Sequence, residues 1–155
     1  MIRLRDLVED KGVLLLIGNP RWLLKILVDK WSREKKVIIF GKLIISPQHP
    51  KNVIIHSDIP SSTTDIYPTV IEGYFDRKDI EKERILTFIS NNYRKAPVII
   101  YEEKYYFKRA FKSKLCHYLS YIAAYKRETV NFDKIEIFKL ENCKIINRSI
   151  YIRRL

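Results

Sequence analysis

Basic and aromatic residues alternate in one short segment of the chain, Tyr105–Lys114, which reads YYFKRAFKSK. Aromatic rings stack on unpaired bases, and lysine or arginine neutralises the neighbouring phosphates. This composition is therefore typical of a surface that binds single-stranded nucleic acid. We expect four cations of the segment to contact phosphates: Lys108, Arg109, Lys112 and Lys114.

The same segment predicts the start of a long helix, from about Lys108 to Lys126, with Val98–Phe107 before it as a strand. On such a helix, 3–4 spacing places Tyr118 and Tyr121 on one face. Both tyrosines are therefore candidates for stacking on bases. The alternative is that the tyrosines fill the edge of the core and the lysines form its solvated rim.

Positive charge is concentrated in the C-terminal third of the sequence. The formal net charge is +12, of which residues 104–128 contribute +6 and residues 144–155 contribute +4. A charge of this size attracts polyanions, which favours nucleic acid as the partner. Arg148, Arg153 and Arg154 would extend the phosphate-binding track. A membrane surface is less suited, because it needs a broad exposed apolar face beside the cations.

A second chemistry is suggested by Glu102 and Lys104, which follow the apolar run Val98–Tyr101. This spacing at a strand end resembles the Glu-x-Lys half of the PD-(D/E)xK nuclease signature, in which acid and lysine bind a metal and position water. Such a nuclease also needs an upstream aspartate, for which Asp76 and Asp65 are the candidates. The alternative is a solvated strand end.

Outside that alternative, no metal or cofactor is expected. Three histidines, His49, His56 and His117, show no metal-ligand spacing with each other or with cysteine. Cys116 and Cys143 are too few for a disulfide framework, so we expect both to be buried thiols.

Length and composition predict one globular domain, residues 1–155, that stays in the cytoplasm. Hydrophobic residues make up 46% and charged residues 31%, which is typical of a folded rather than a disordered chain. No apolar run approaches the ~20 residues of a membrane span. The charged N-terminus is unlike a signal peptide. Abundant isoleucine and lysine, with few glutamines and methionines, indicate a thermophile.

Alternating strand and helix patterns predict an α/β fold with three layers, a mainly parallel sheet flanked by helices, and a C-terminal hairpin. Gly12–Gly18 is typical of a strand buried on both faces, and Asn19 and Pro20 suit the start of a helix from Arg21 to about Glu34. The other predicted elements are strands at Lys36–Ile39, Leu43–Ile45 and Asn52–His56, a polar loop at Ser61–Asp65, a helix from about Arg77 to Tyr93 capped by Asp76, and hairpin strands at Lys134–Leu140 and Lys144–Arg153.

Three segments together resemble the RecA-like ATPase core, particularly the archaeal RadA paralogs. Gly12–Lys30 is similar to their first strand, phosphate loop and helix, and Asn52–Ser57 to the strand that holds magnesium. Ala96–Glu102 is similar to their strand with a nucleotide-sensing polar residue. The resemblance implies a reduced RecA-like core.

The catalytic residues of that family are missing. A phosphate loop reads Gly-x-x-x-x-Gly-Lys-Ser/Thr, so that N–H groups cradle phosphates, lysine meets their charge and the hydroxyl binds magnesium. Counted from Gly18, the last three positions hold Leu23, Leu24 and Lys25. His56 replaces the magnesium carboxylate, with Asp58 two residues later. The resemblance therefore implies a non-hydrolysing relative, a scaffold or mediator in DNA recombination.

The sequence thus predicts a non-catalytic nucleic-acid-binding protein, an accessory or scaffold subunit in DNA repair or recombination. Single-stranded DNA is the favoured ligand, and a protein partner in a larger complex is expected. Two alternatives stay open: the metal-dependent nuclease, and a small basic subunit that docks on an acidic protein or on structured RNA.

Overall fold

A computed structural model describes residues 1–9, 11–42, 45–57, 59 and 67–155, with only the backbone at residues 8 and 9. Within these residues one mixed sheet of eight strands has the order β3-β2-β4-β5-β1-β6-β7-β8. The strands are β1 Val13–Ile17, β2 Val37–Phe40, β3 Val53–His56, β4 Thr69–Glu72, β5 Val98–Tyr101, β6 Leu119–Arg127, β7 Phe132–Glu141 and β8 Lys144–Arg154. The helices are α1 Asp6–Glu9, α2 Arg21–Ser32, α3 Asp79–Asn92 and α4 Phe107–Phe111, with short 3₁₀ turns at Pro50–Asn52 and Lys114–Tyr118.

The central strand β1 is buried throughout because both faces of the sheet are covered. Its side chains alternate between two hydrophobic clusters: Leu15 packs with α3 and α4, and Leu16 packs with α1 and α2. The predicted α/β class is therefore confirmed. The antiparallel part is larger than the predicted hairpin, because β7 pairs antiparallel with β6 as well as with β8.

The carboxyl ends of the parallel strands meet at one edge of the sheet. In β1, β4 and β5 the register aligns Leu16, Glu72 and Tyr101 at neighbouring strand ends. The loops that lead into α2, α3 and α4 all leave from this edge. Ligands of open α/β sheets bind outside the carboxyl ends of the strands, so we expect a ligand site at this edge.

The predicted long helix from Lys108 to Lys126 is wrong. Only Phe107–Phe111 is α-helical, and Leu119–Arg127 forms β6. Because β6 lies between β1 and β7, with both faces covered, residues 121–124 are all buried and show no alternation of polar and apolar residues. Consecutive buried residues also satisfy the 3–4 spacing of a helix, so the sequence pattern fits a helix and a buried strand equally well.

Smaller differences concern strand and helix ends. Strand β5 ends at Tyr101 rather than Phe107, and α3 begins at Asp79 without a side-chain cap, so Asp76 is free for other contacts. Helix α2 likewise has no side-chain cap. The oxygen of Asn19 instead accepts a hydrogen bond from the hydroxyl of Tyr101. Strand β3 is a half-exposed edge strand rather than a buried one.

Several sequence predictions lie wholly or partly outside the described residues. They are the strand at Leu43–Ile45, the polar loop at Ser61–Asp65, and the acids Asp58 and Asp65. Within the described part of the chain, no helix combines the length and the apolar character needed to cross a membrane.

The two cysteines are joined in a disulfide, so the prediction of free thiols is wrong. Cys116 lies in the 3₁₀ turn before β6, and Cys143 lies in the two-residue turn between β7 and β8. Both turn residues, Asn142 and Cys143, have positive φ, as a type I′ hairpin turn requires. The bond therefore fastens a strained hairpin tip to the core beside α4.

Removal of this disulfide should weaken the fold. Cys116→Ser with Cys143→Ser should lower the free energy of unfolding by about 3–4 kcal/mol, because the bond closes a loop with a sequence separation of 27. Chemical denaturation of the oxidised protein, the reduced protein and the double variant would measure this. The double variant should not respond to reductant, and equal stability of all three would contradict the prediction.

Candidate nucleic-acid interface

Glu102 ties together three loops at the carboxyl edge of the sheet. Its buried carboxylate accepts hydrogen bonds from the backbone N–H groups of Tyr74 (2.5 Å) and Phe75 (3.1 Å), in the loop before α3. Its own carbonyl accepts the N–H of Asn19, in the loop before α2. Burial raises the pKa of the Glu102 carboxyl, although the two N–H donors oppose this. The side chain is therefore committed to holding the loops.

Asp76 anchors α4 at the same edge. Its carboxylate accepts hydrogen bonds from the Tyr106 hydroxyl (2.7 Å) and the Arg109 guanidinium (3.0 Å). Lys104 Nζ lies 3.9 Å from the same carboxylate. These hydrogen bonds, followed by the nearby cations, lower the pKa of Asp76. The guanidinium of Arg109 also donates to the Phe75 carbonyl and lies over the Tyr106 ring.

A groove of about 620 Å³ separates α3 from α4 and the 3₁₀ turn that follows. Tyr74, Phe75 and Leu86 give it an aromatic and apolar lining. The remaining lining residues are mostly charged: Asp79, Lys82, Glu83, Arg109, Lys112 and Lys114, together with Ser113. The volume is in the range of small-ligand sites, and the cations suit an anionic group. Tyr74 and Phe75 are each only 3% exposed, so their rings line the groove without offering a stacking face.

Of the four predicted phosphate contacts, two are already engaged with acids. Arg109 pairs with Asp76, and Lys114 pairs with Glu83 at 3.3 Å. Lys108 and Lys112 are exposed on α4 and its C-terminal cap, and neither pairs with an acid of the described residues. These two lysines are therefore the cations of the segment most available to a polyanion.

The structure does not bring the predicted stacking tyrosines to this surface. Tyr121 is only 5% exposed and packs in the cluster on the opposite face of the sheet, with α2. Tyr118 precedes β6, whose first residue pairs with the first residue of β1, so it lies at the amino edge. There its ring packs edge-to-face on Tyr93.

The three arginines of β8 do not form one track. Side chains alternate along a strand, so Arg153 lies on the opposite face from Arg148 and Arg154. Arg153 donates to Asp133 at 2.9 Å and lies over the Trp22 ring on the α2 side. Although burial opposes it, the hydrogen bonds from Arg153 and Tyr125 hold the pKa of Asp133 below its usual range.

On the α4 side, Arg148 pairs with Glu136 at 2.7 Å and lies over the Phe138 ring. Phe138 in turn contacts Phe107 of α4, so Arg148 belongs to the surface that adjoins the helix. Arg154 is exposed at the strand end.

The family resemblance assigns the phosphate loop to the turn after β1, and this turn is hydrogen-bonded to the loop after β5. The N–H groups of Gly18 and Asn19 donate to the carbonyls of Lys104 (3.3 Å) and Glu102 (3.2 Å). A side chain at Gly18 would collide with the Tyr125 carbonyl, so the turn also packs tightly against β6. Two donors that could cradle a phosphate, the N–H groups of Gly18 and Asn19, are thus occupied, and Lys25 pairs with Asp29 on the following helix.

The strand assigned to magnesium by the family resemblance is far from that turn. Between β3 and β1 lie β2, β4 and β5, which corresponds to about 19 Å at ~4.8 Å per strand. His56, at the end of β3, stacks on Phe40, consistent with a packing role. Within the described residues, no three His, Cys, Asp or Glu side chains come together in a way that could hold a metal ion.

The nuclease candidates do lie near one another. Lys104 Nζ lies 3.9 Å from the Asp76 carboxylate. The Glu102 carboxylate accepts the N–H of Phe75, the residue before Asp76. However, both oxygens of Asp76 are occupied by Tyr106 and Arg109, and Glu102 is engaged by backbone N–H groups.

Sequence reasoning missed the exposed aromatic residue beside α4, Tyr105, and the two buried aromatic residues that line the groove, Tyr74 and Phe75. The Tyr105 ring is 42% exposed, stacks on Phe107 and carries the Lys126 ammonium over its face. Tyr105 belongs to the basic–aromatic segment, but the sequence predicts it within a strand. Because β5 ends at Tyr101, Tyr105 lies outside the strand and is exposed. Tyr74 and Phe75 follow β4, a strand that sequence reasoning did not find.

No protein-family model matches the chain, and a comparison with curated proteins finds no significant match.

Substitution of Glu102 should separate its structural role from its charge. Glu102→Ala should lower the free energy of unfolding by about 1–3 kcal/mol, because two buried N–H groups lose their acceptor. Glu102→Gln keeps an acceptor oxygen and should be at least as stable as the wild type at neutral pH. Denaturant titrations at acid and neutral pH would measure both effects.

The pH dependence follows from the raised pKa of Glu102. The folded protein binds this proton more readily than the unfolded chain, so its stabilising contribution is present below the unfolded pKa, about 4.3. It is lost as the pH rises through the raised folded pKa. The advantage of Glu102→Gln over the wild type should therefore shrink as the pH is lowered, and a pH-independent difference would refute this account.

Proposed function

We propose that the chain is a non-catalytic nucleic-acid-binding protein, an accessory or scaffold subunit in DNA repair or recombination. The observation that carries this proposal is the position of Lys108 and Lys112. Both are exposed on α4 and its C-terminal cap, Lys112 also lines the groove, and no acid of the described residues neutralises either. Unneutralised cations release counterions when they meet phosphates, which drives binding.

Single-stranded nucleic acid is the favoured ligand. Single-strand surfaces combine a cationic path for the backbone with rings that accept unpaired bases. Tyr105, just before α4, is 42% exposed, and the cations Lys112 and Lys114 line the groove between α3 and α4. Duplex readout would instead need a helix or ribbon to enter a groove of the duplex, and the five residues of α4 are short for this.

The resemblance to a reduced RecA-like core supports a scaffold role. A glycine turn and a helix after the first strand support the proposal, whereas the position of β3, with three strands between it and that turn, does not. The N–H groups of that turn are bonded to carbonyls of the loop after β5, which favours a relative without nucleotide turnover. We place the protein in the cytoplasm of a thermophile, where intracellular disulfides are common among hyperthermophiles.

Removal of the two free lysines should weaken binding and reduce its salt dependence. Lys108→Gln with Lys112→Gln should lower the slope of log affinity against log salt by about 1.4, at roughly 0.7 per lost contact with a single strand. Fluorescence anisotropy with labelled single- and double-stranded DNA and RNA, over a salt series, would measure this.

The matched control removes the same charge at a distance. Lys35→Gln with Lys36→Gln changes two exposed lysines between α2 and β2, at the amino edge of the sheet. This pair should leave the slope close to that of the wild type. Equal effects of the two pairs would show that only net charge matters, and an absence of binding at moderate salt would exclude the proposed function.

The approach of Lys104 to Asp76, next to Glu102, favours a metal-dependent nuclease as the second candidate. Its test is the same binding experiment with Mg²⁺ or Mn²⁺ added and the length of the nucleic acid followed. Cleavage that is lost in Glu102→Gln, which keeps the fold, would establish the nuclease. Intact nucleic acid under all these conditions would favour the non-catalytic protein.

A further inference from the structure

Strand β8 is an open edge of the sheet and carries an unusual amount of exposed apolar surface. It is the last strand in the order and spans eleven residues, so one side of its backbone has no neighbouring strand among the described residues. Four of its isoleucines are exposed: Ile145 (45%), Ile146 (50%), Ile150 (51%) and Ile152 (68%). Long apolar edges pair readily with other strands, and proteins usually cover or interrupt them.

The side chains of β8 that face the α4 side form an ordered row. Alternate residues read Arg148, Ile150, Ile152 and Arg154, in register with Phe138, Glu136, Lys134 and Phe132 of β7. A cation therefore stands at each end of an apolar pair. An added strand places its side chains directly opposite this row, and complementary cross-strand pairs stabilise such an arrangement.

The carboxyl end of the row also has a recess for a side chain. A groove of about 500 Å³ is lined by Phe132, Ile152 and Leu155, with Asn131 and Arg154 beside them. An apolar side chain fits its lining, and Arg154 can meet a carboxylate at its mouth. Strand addition gains affinity from the backbone and specificity from pockets of this kind.

Charge decides which occupant suits this edge. Strand β8 has no acidic residue; Arg148 and Arg153 pair with acids of β7, whereas Lys144 and Arg154 have no acid partner among the described residues. A second copy of the chain would bring the same cations and no acid from its own β8, and like charges on facing strands are destabilising. A segment with acids at the positions that face Arg148 and Arg154 complements the row instead.

We propose that β8 is a strand-addition site for an extended, acidic segment of a partner protein. The segment alternates acidic and β-branched residues on the face that meets the arginine–isoleucine row. It adds a ninth strand to the sheet and covers the exposed isoleucines. The backbone edge of β8 is not part of the groove beside α4, and the proposal does not depend on nucleic-acid binding.

A designed peptide tests the site directly. A fluorescein-labelled peptide of the length needed to span residues 148–154 carries Glu, Val, Val and Glu on one face and threonine on the other. Its counterpart has lysine in place of glutamate. The wild-type protein should bind the acidic peptide about tenfold or more tightly than the lysine peptide, because each end of the row then forms an opposite-charge pair. Hydrogen exchange should show slower exchange in β8 on binding.

Two variants on opposite edges of the sheet provide the matched comparison. Ile150→Thr with Ile152→Thr keeps strand propensity but removes the apolar pair, and should weaken peptide binding about tenfold or more. Ile55→Thr changes an isoleucine that is 58% exposed on β3, at the other edge, and should bind the peptide as the wild type does.

Several results would overturn the proposal: no peptide binding, equal binding of the lysine peptide, or equal loss in Ile55→Thr. Sedimentation that shows a wild-type dimer and a monomeric Ile150→Thr/Ile152→Thr variant would assign the edge to a second copy. The isoleucine variants should retain nucleic-acid binding, and the Lys108/Lys112 variant should retain peptide binding. Failure of one proposal is therefore distinguishable from failure of the other.

Discussion

The buried carboxylate of Glu102 is the interaction on which the α4 surface depends. It holds the Tyr74 and Phe75 N–H groups, while its own carbonyl holds the N–H of Asn19. A single residue thereby fixes the loops after β1, β4 and β5. Burial of a carboxylate is costly unless hydrogen bonds compensate, and here the donors are backbone groups that would otherwise be unpaired. Loop positions and carboxylate burial therefore stabilise each other.

The hydrogen bonds between these loops limit where a ligand can bind at this edge of the sheet. The N–H groups of Gly18 and Asn19 bond to the carbonyls after β5, so these two donors are not available to a ligand at the carboxyl edge. The proposed nucleic-acid surface is α4, where Arg109 is fastened by Asp76 and lies over two aromatic rings. A short helix of five residues is marginal alone, so these contacts and the nearby disulfide define its orientation.

How far the sequence predicted this arrangement depends on how each segment is buried. Gly12–Gly18 could be predicted because an apolar run of this length between two glycines is typical of a buried strand. Strands β7 and β8 could be predicted from the polar turn between them. Strand β6 was not, because a strand covered on both faces has no alternation, and its two alanines fit a helix equally well. The disulfide depends on a spatial approach across 27 residues, which sequence spacing does not encode.

Charge along the sequence proved to be an incomplete guide to charge at the surface. The C-terminal third carries most of the net charge, yet Arg148 and Arg153 fold back onto Glu136 and Asp133, and only distant contacts reveal this. Cations without an acid partner among the described residues lie in two places: Lys108 and Lys112 on α4 and its C-terminal cap, and Lys144 and Arg154 at the two ends of β8, which also carries exposed isoleucines. Lysines beside aromatic rings suit phosphates and bases, whereas a strand edge with unpaired backbone and β-branched side chains suits another strand. The lysines lie on α4 and the open backbone edge belongs to β8, so each proposed surface stands on its own observations.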